Sequence, residues 1–134
     1  MNDVAHDLDE LLNSSGTPVS GFMGDMEKGK QAAILAFSNK PFCLVRNWRL
    51  IEVQVVDAYK AALASDGFSP FVVYASDVVL HSAGKRPPGD WVRTTFQRSL
   101  GEGFLFESVN TIYVLLGEGV RIKGSAKAVL SIGQ

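Results

Sequence analysis

The sequence predicts an α+β domain in which two or three helices from the first half pack on an antiparallel sheet of five to six strands. The strands would form a meander, and partial closure into a barrel is the structural alternative. Three observations predict this class. Apolar residues recur at helical spacing before residue 40, they alternate or form short apolar blocks from residue 44 onward, and glycine-rich turns punctuate the second half. A chain of 134 residues is long enough for one core without disulfide or metal staples, so 1–134 is read as a single domain. Within it, residues 1–40 make a helical N-terminal segment and residues 44–130 the sheet-forming region.

The first helix follows from Val4, Leu8, Leu11 and Leu12, spaced to share one face, with Asn2 or Asp3 as N-cap. Ser14-Ser15-Gly16-Thr17-Pro18 ends it. Asp25 is placed to cap a second helix over residues 26–37, which the alanines at 32, 33 and 36 favour and Pro41 bounds. Ile51, Val53 and Val55 alternate with Glu52 and Gln54 as in a half-buried strand. Asp57 is the expected cap of a short third helix, "AYKAALAS", which Asp66-Gly67 closes.

Strands dominate after residue 69. "FVVYASDVVL" and "TIYVLL" are apolar on both faces and should be central. "WVRTTFQRSL" and "GFLFES" are mixed, and Gly101-Glu102-Gly103, Val109-Asn110 and Gly117-Glu118-Gly119 separate these runs at hairpin spacing. "HSAGKRPPG" carries two prolines that cannot donate to a ladder and reads as an exposed loop. "AVLSI" is expected as a further edge strand.

Charge is uneven along the chain. Residues 1–30 hold six acidic residues against two lysines, whereas seven basic residues oppose four acidic ones from residue 84 onward. No apolar run is long enough to cross a bilayer, and "MNDVAHDLDELL" is acidic where a signal peptide is basic then apolar, so a cytoplasmic location is expected. The single cysteine agrees with a reducing compartment.

Motifs for chemistry are sparse. Neither G-E-G tripeptide opens a helix or continues to a third glycine, so both read as turns and not as phosphate cradles. The histidines, His6 and His81, have no metal-ligand spacing, and neither metal nor cofactor is expected. A nucleophilic group of Cys43, His81 and Asp77 is conceivable only in space, and the apolar neighbours Phe42, Leu44 and Val45 would raise the thiol pKa. Paired carboxylates such as Asp7 with Glu10, or Glu102 with Glu118, read as solvated surface.

The basic segment carries the partner candidates. Trp91 and Arg93 would share one strand face beside the Lys85-Arg86 loop, and these residue types anchor interfaces. The bland alternative is a Trp91 that fills a core edge and an Arg93 that pairs with Glu107. A nucleic-acid surface would recruit Arg98, Arg121 and Lys123 to Lys85, Arg86 and Arg93, although the acidic balance of the whole chain disfavours it.

Quoted in order, "GDWVRTT", a glycine turn, "FLFE" and "NTIYVLLGEG" resemble a family of small proteobacterial proteins described only as a domain of unknown function. The resemblance begins near "LVRNW", includes "VVYASDVVLHSAGKRPPGDWVRTT", and departs after Gly119, where two adjacent basic residues would be expected and Val120-Arg121-Ile122-Lys123 stands. It implies no activity and no cofactor, and a scattered occurrence that suits an accessory or mobile-element gene. The resulting expectation is a non-enzymatic cytoplasmic interaction module, an inhibitor or regulator docking on another bacterial or phage protein. A nucleic-acid-binding module comes second, and a small hydrolase around Cys43 and His81 third.

Overall fold

Residues 4–36 and 39–133 are described by a computed structural model of the chain. The elements run α1 (Val4–Asn13), β1 (Thr17–Ser20), α2 (Met26–Ala36), β2 (Phe42–Gln54), α3 (Asp57–Ser65), β3 (Phe71–His81), β4 (Val92–Arg93), β5 (Ser99–Gly101), β6 (Leu105–Glu107), β7 (Ile112–Leu115), β8 (Glu118–Ser125) and α4 (Ala126–Leu130). The expected N-cap of α1 at Asn2 or Asp3 and the Val4 side chain lie outside the described residues, as do positions 37 and 38.

Everything is arranged against β2. On one edge it pairs antiparallel with β3, from Cys43 opposite His81 to Glu52 opposite Phe71. On the other edge it pairs parallel with two successive stretches of one path, first β7 and then β8. The sheet is therefore mixed and has eight strands, where an all-antiparallel sheet of five to six was expected. The physical reason is that the second G-E-G is not a hairpin. After Leu116 the chain continues in the same direction beside β2, with Gly117 at φ 68 absorbing a jog of one residue in register. Parallel neighbours need a long crossover, and the whole of residues 55–111 supplies it.

The first G-E-G does turn a hairpin, between β5 and β6, with Glu102 and Gly103 both at positive φ. Two further expectations change. β1 forms in a stretch read as a helix break and pairs antiparallel with β8. "AVLSI" is not an edge strand: the Ser125 hydroxyl accepts from the Ala128 N–H at 3.1 Å, and this cap starts α4, which buries Ala128 and Val129.

"WVRTTFQRSL" splits because it changes partner. Thr94 and Gln97 donate their N–H groups to Val73 and Phe71 on β3, whereas Arg98 donates to Glu107 on β6. The segment carries the sheet round from β3 to β6, giving a curled, partly closed sheet. Both β2 and β3 bend at the same level. Two residues separate the inward Val45 and Trp48 on β2, and two separate Ala75 and Val78 on β3, with Asn47 at φ 53 in the bend.

Three apolar clusters result. The inner one holds Cys43, Val45, Trp48, Val73, Phe106 and Tyr113 inside the curl. On the outside, α1 and α4 cover Ile51, Val53 and Val72, and α2 covers Leu44, Ile112 and Val114. Asp25 caps α2 as expected, accepting from the Lys28 N–H at 2.9 Å. Val56, not Asp57, is the N-cap of α3 and offers no side-chain bond.

Trp48 is the centre of the inner cluster, 1% exposed, with its indole N–H donating to the Leu116 carbonyl at 3.1 Å. A Cβ on Gly119 would meet that ring at 2.3 Å. Gly119→Ala is therefore expected to destabilise the domain by about 1–3 kcal/mol or more through overpacking. Gly101→Ala, whose Cβ would meet nothing closer than 3.6 Å, should stay within about 0.5 kcal/mol. Urea unfolding of the two variants at unchanged m-value checks this contrast.

Candidate functional site

The seven candidate residues do not form one patch. Lys85 and Arg86 stand in the exposed loop after β3, and the Arg86 guanidinium donates to the Trp91 carbonyl at 3.0 Å, approaches Asp90 at 3.6 Å and lies 5.6 Å from the Trp91 ring centre. Trp91 leans toward Tyr74, with ring centres 6.4 Å apart, and is still 37% exposed. Arg98 and Arg121 sit elsewhere, over Phe68 at 4.5 Å and over Phe71 at 5.0 Å. Arg121 also pairs with Glu52 at 3.1 Å. Together with Lys123 it lines a polar groove of about 790 Å³ whose opposite charges come from Asp7, Glu10 and Glu52.

Arg93 is where apolar and charged character meet. It does not pair with Glu107: β4 lies beside β3 at the far side of the sheet from β6, and the Arg93 guanidinium donates to the Val129 carbonyl of α4 at 2.9 Å. It thereby lines a second groove, about 630 Å³, between α3, α4 and residues 93–96. The floor is Val53 and Val72, and the rim carries Val56, Tyr59 and Leu130, which are 73%, 48% and 62% exposed. Sequence reasoning found Arg93 but missed these three, because each is an ordinary apolar residue of a helix or its cap. Met26, Ile34 and Leu35 are exposed as well, on α2 and outside the lining of this groove.

The groove exists because α3 is a poor cover. Leu63 is its only buried residue, and Tyr59 reaches Phe96 only at 6.3 Å between ring centres. α4 is five residues long. Two short helices thus flank the end of the sheet without closing over it.

Cys43 and His81 are Cα partners across β2 and β3, but the thiol is fully buried. Burial pushes its pKa up to about 11, against a smaller opposing pull from Arg86. His81 is held below its ordinary value by burial and by Lys85 and Arg86, and its Nδ1 accepts from the Ala83 N–H at 3.1 Å. Asp77 faces Arg46 in the register, three residues along β2 from Cys43. Among the described residues no three His, Cys, Asp or Glu side chains are placed to hold a metal. No helix of the described residues is long and apolar enough to cross a membrane.

Glu107, expected only as a partner for Arg93, is a buried charge held by Lys40 instead. It is 8% exposed, accepts from Lys40 Nζ at 2.6 Å and from the Ser99 hydroxyl at 2.9 Å, and Lys40 also reaches the Ser108 carbonyl. Burial raises its pKa, but the Lys40 and Ser99 hydrogen bonds and the charges of Lys40 and Arg98 outweigh that and hold it below the ordinary 4.5.

A curled mixed sheet with helices on its outer face and an apolar groove at one end defines a small α+β domain. The chain belongs to the DUF6957 family, a domain of unknown function, whose model matches residues 20–131. The match starts well before the "LVRNW" stretch where the resemblance was expected to begin, and so takes in α2 and the Asp25 cap. Neither the curated proteins nor the solved structures give a significant match.

Two expectations follow. In the native protein Cys43 should react with a thiol reagent only as fast as the domain opens, and reaction within the mixing time would contradict its burial. A carboxyl with a lowered folded pKa contributes stability that is present above its unfolded pKa and lost as pH falls through the folded value. Glu107→Gln should accordingly be less stable than wild type at pH 7, and the gap should narrow as pH drops below about 4.5. Thermal melts of both proteins across pH test the sign.

Proposed function

We propose that this domain is a non-enzymatic cytoplasmic interaction module that docks on another protein through the groove between α3 and α4. The observation that carries the reading is the concave grouping of Val56, Tyr59 and Leu130, all exposed, around an apolar floor with Arg93 at its margin. Apolar area left in water is the main source of association free energy, and an aromatic with an arginine is the usual anchor composition. The Val56 N-cap supports the same reading: valine contributes nothing to capping, and a contact role accounts for its residue type. Nucleic-acid binding has less support, because Arg86 and Arg121 already meet Asp90 and Glu52.

The test is affinity capture from a nuclease-treated host lysate, with wild type compared against Leu130→Asp. Leu130 is exposed, so the variant should keep its melting temperature within a few degrees. Wild type should retain a protein that the variant loses. Identical capture by both, or capture that disappears on nuclease treatment, would refute the reading.

A further inference from the structure

We infer that the groove receives an amphipathic helix whose apolar face is flanked by carboxylates. This rests on the interaction reading above and specifies the partner.

The form of the occupant follows from where the main-chain hydrogen bonds go. An extended peptide gains affinity by adding to a free strand edge. The walls of this groove have little edge to give. α3 and α4 bond their own backbones internally, Thr94 and Gln97 donate to Val73 and Phe71, and the one strand in the wall, β4, is two residues long, so that within it only Arg93 turns its main-chain groups away from β3. The Thr94 hydroxyl is also spent, accepting from the Val73 N–H and donating to the Thr95 carbonyl. What the groove offers is side-chain surface. A partner seated there must satisfy its own backbone, which a helix does and a strand does not.

The charge of the occupant follows from Arg93, the one charged residue that lines the groove, and from Lys60 and Lys127 on the helices that flank it. Arg93 uses one guanidinium nitrogen on the Val129 carbonyl, which leaves other N–H donors of its planar fork. Lys60 stands one turn after Val56 on α3, and Lys127 stands on α4 beside Leu130. Among the described residues no carboxylate lies within 4 Å of any of these three cations. Asp57 is the acidic residue of the first turn of α3. In this the groove differs from the polar one at α1, where Glu52 already answers Arg121. A helix with apolar anchors at i, i+3 or i+4, and i+7 would fill the floor, and acidic residues beside them would meet Arg93, Lys60 and Lys127.

The probe is a phage-displayed random library of peptides about 15 residues long, roughly four helical turns. It is selected on the full chain and counter-selected on Leu130→Asp. Enriched peptides should repeat apolar residues at helical spacing with Asp or Glu interspersed. Binding of a representative synthetic peptide should weaken about tenfold or more on Leu130→Asp and on Arg93→Gln, and should fall with added salt. Circular dichroism of both variants checks that they remain folded. Should Arg93→Gln unfold, Lys60→Glu with Lys127→Glu replaces it as the charge test. Enriched peptides that are basic or proline-rich, or that bind wild type and variants alike, overturn the inference. So does a concentration-dependent dimer in sedimentation that Leu130→Asp abolishes, since that assigns the groove to a second copy. If no peptide is enriched while Leu130-dependent capture from lysate persists, the helix assignment falls and the interaction reading stands. Loss of both removes the reading itself.

Discussion

The indole of Trp48 is the constraint on which the sheet depends. It lies inside the curl, donates to the Leu116 carbonyl and occupies the space that side chains at Gly119 and Gly21 would need. Because the ring sits on Gly119, the chain leaving β7 is held against the second half of β2 and cannot fold back as a hairpin. Leu116 further donates its own N–H to Val45, and the Gly21 and Gly117 backbones pair, so the jog is pinned from both sides. One large side chain with one hydrogen bond thus sets the parallel pairing of β8, and through β8 the position of β1. A buried tryptophan contributes through its large apolar surface, and its N–H must find an acceptor there, which the carbonyl of a jogged strand supplies.

The bend at Asn47 has the second structural consequence. Because β2 and β3 change phase together at this level, the sheet keeps Trp48 and Val45 both inward while presenting Leu44 and Ile51 both outward. The outer surface is thereby divided, and separate helices cover its parts. α2 takes the part beside β7, and α1 with α4 takes the part beside β8. At the far end, around Val53 and Val72, the supply of covering helix runs short. α1 has already buried Leu11 against Ile51 and Gly124, so only the short α3 and α4 remain.

How much of this was readable depended on whether the signal was local. Asp25, the Gly101-Glu102-Gly103 turn and the alternation around Ile51 are statements about neighbours in sequence, and the structure agrees with them. Parallel pairing left no local trace, since β7 and β8 read as two strands with a glycine turn whichever way the second one runs. Five residues are too few for helical periodicity, so "AVLSI" looked like strand, and only the Ser125 cap marks the helix that starts at Ala126. Glu107 stood in an apolar run with its partner Lys40 far away in sequence. At the candidate site, Trp91 and Arg93 were legible as residue types, but Val56, Tyr59 and Leu130 acquire meaning only once two distant segments flank the same floor.

The exposed valine, tyrosine and leucine are also hard to explain as a failure of folding. The same chain covers much of its outer sheet surface with ordinary means, burying Leu11 to 2% and Ala33 to 1%, although Ile34 and Leu35 of α2 also stay in water. α3 has four alanines and a buried Leu63, a composition that holds a helix in place without spending large side chains on its own core. Its aromatic residue, Tyr59, and the Val56 cap before it instead stand half-exposed or exposed at the groove. On a fold whose interior is filled by Trp48 and whose turns are set by glycine, apolar residues placed around a concavity and beside an arginine are the surface that the proposed contact with a second macromolecule would use.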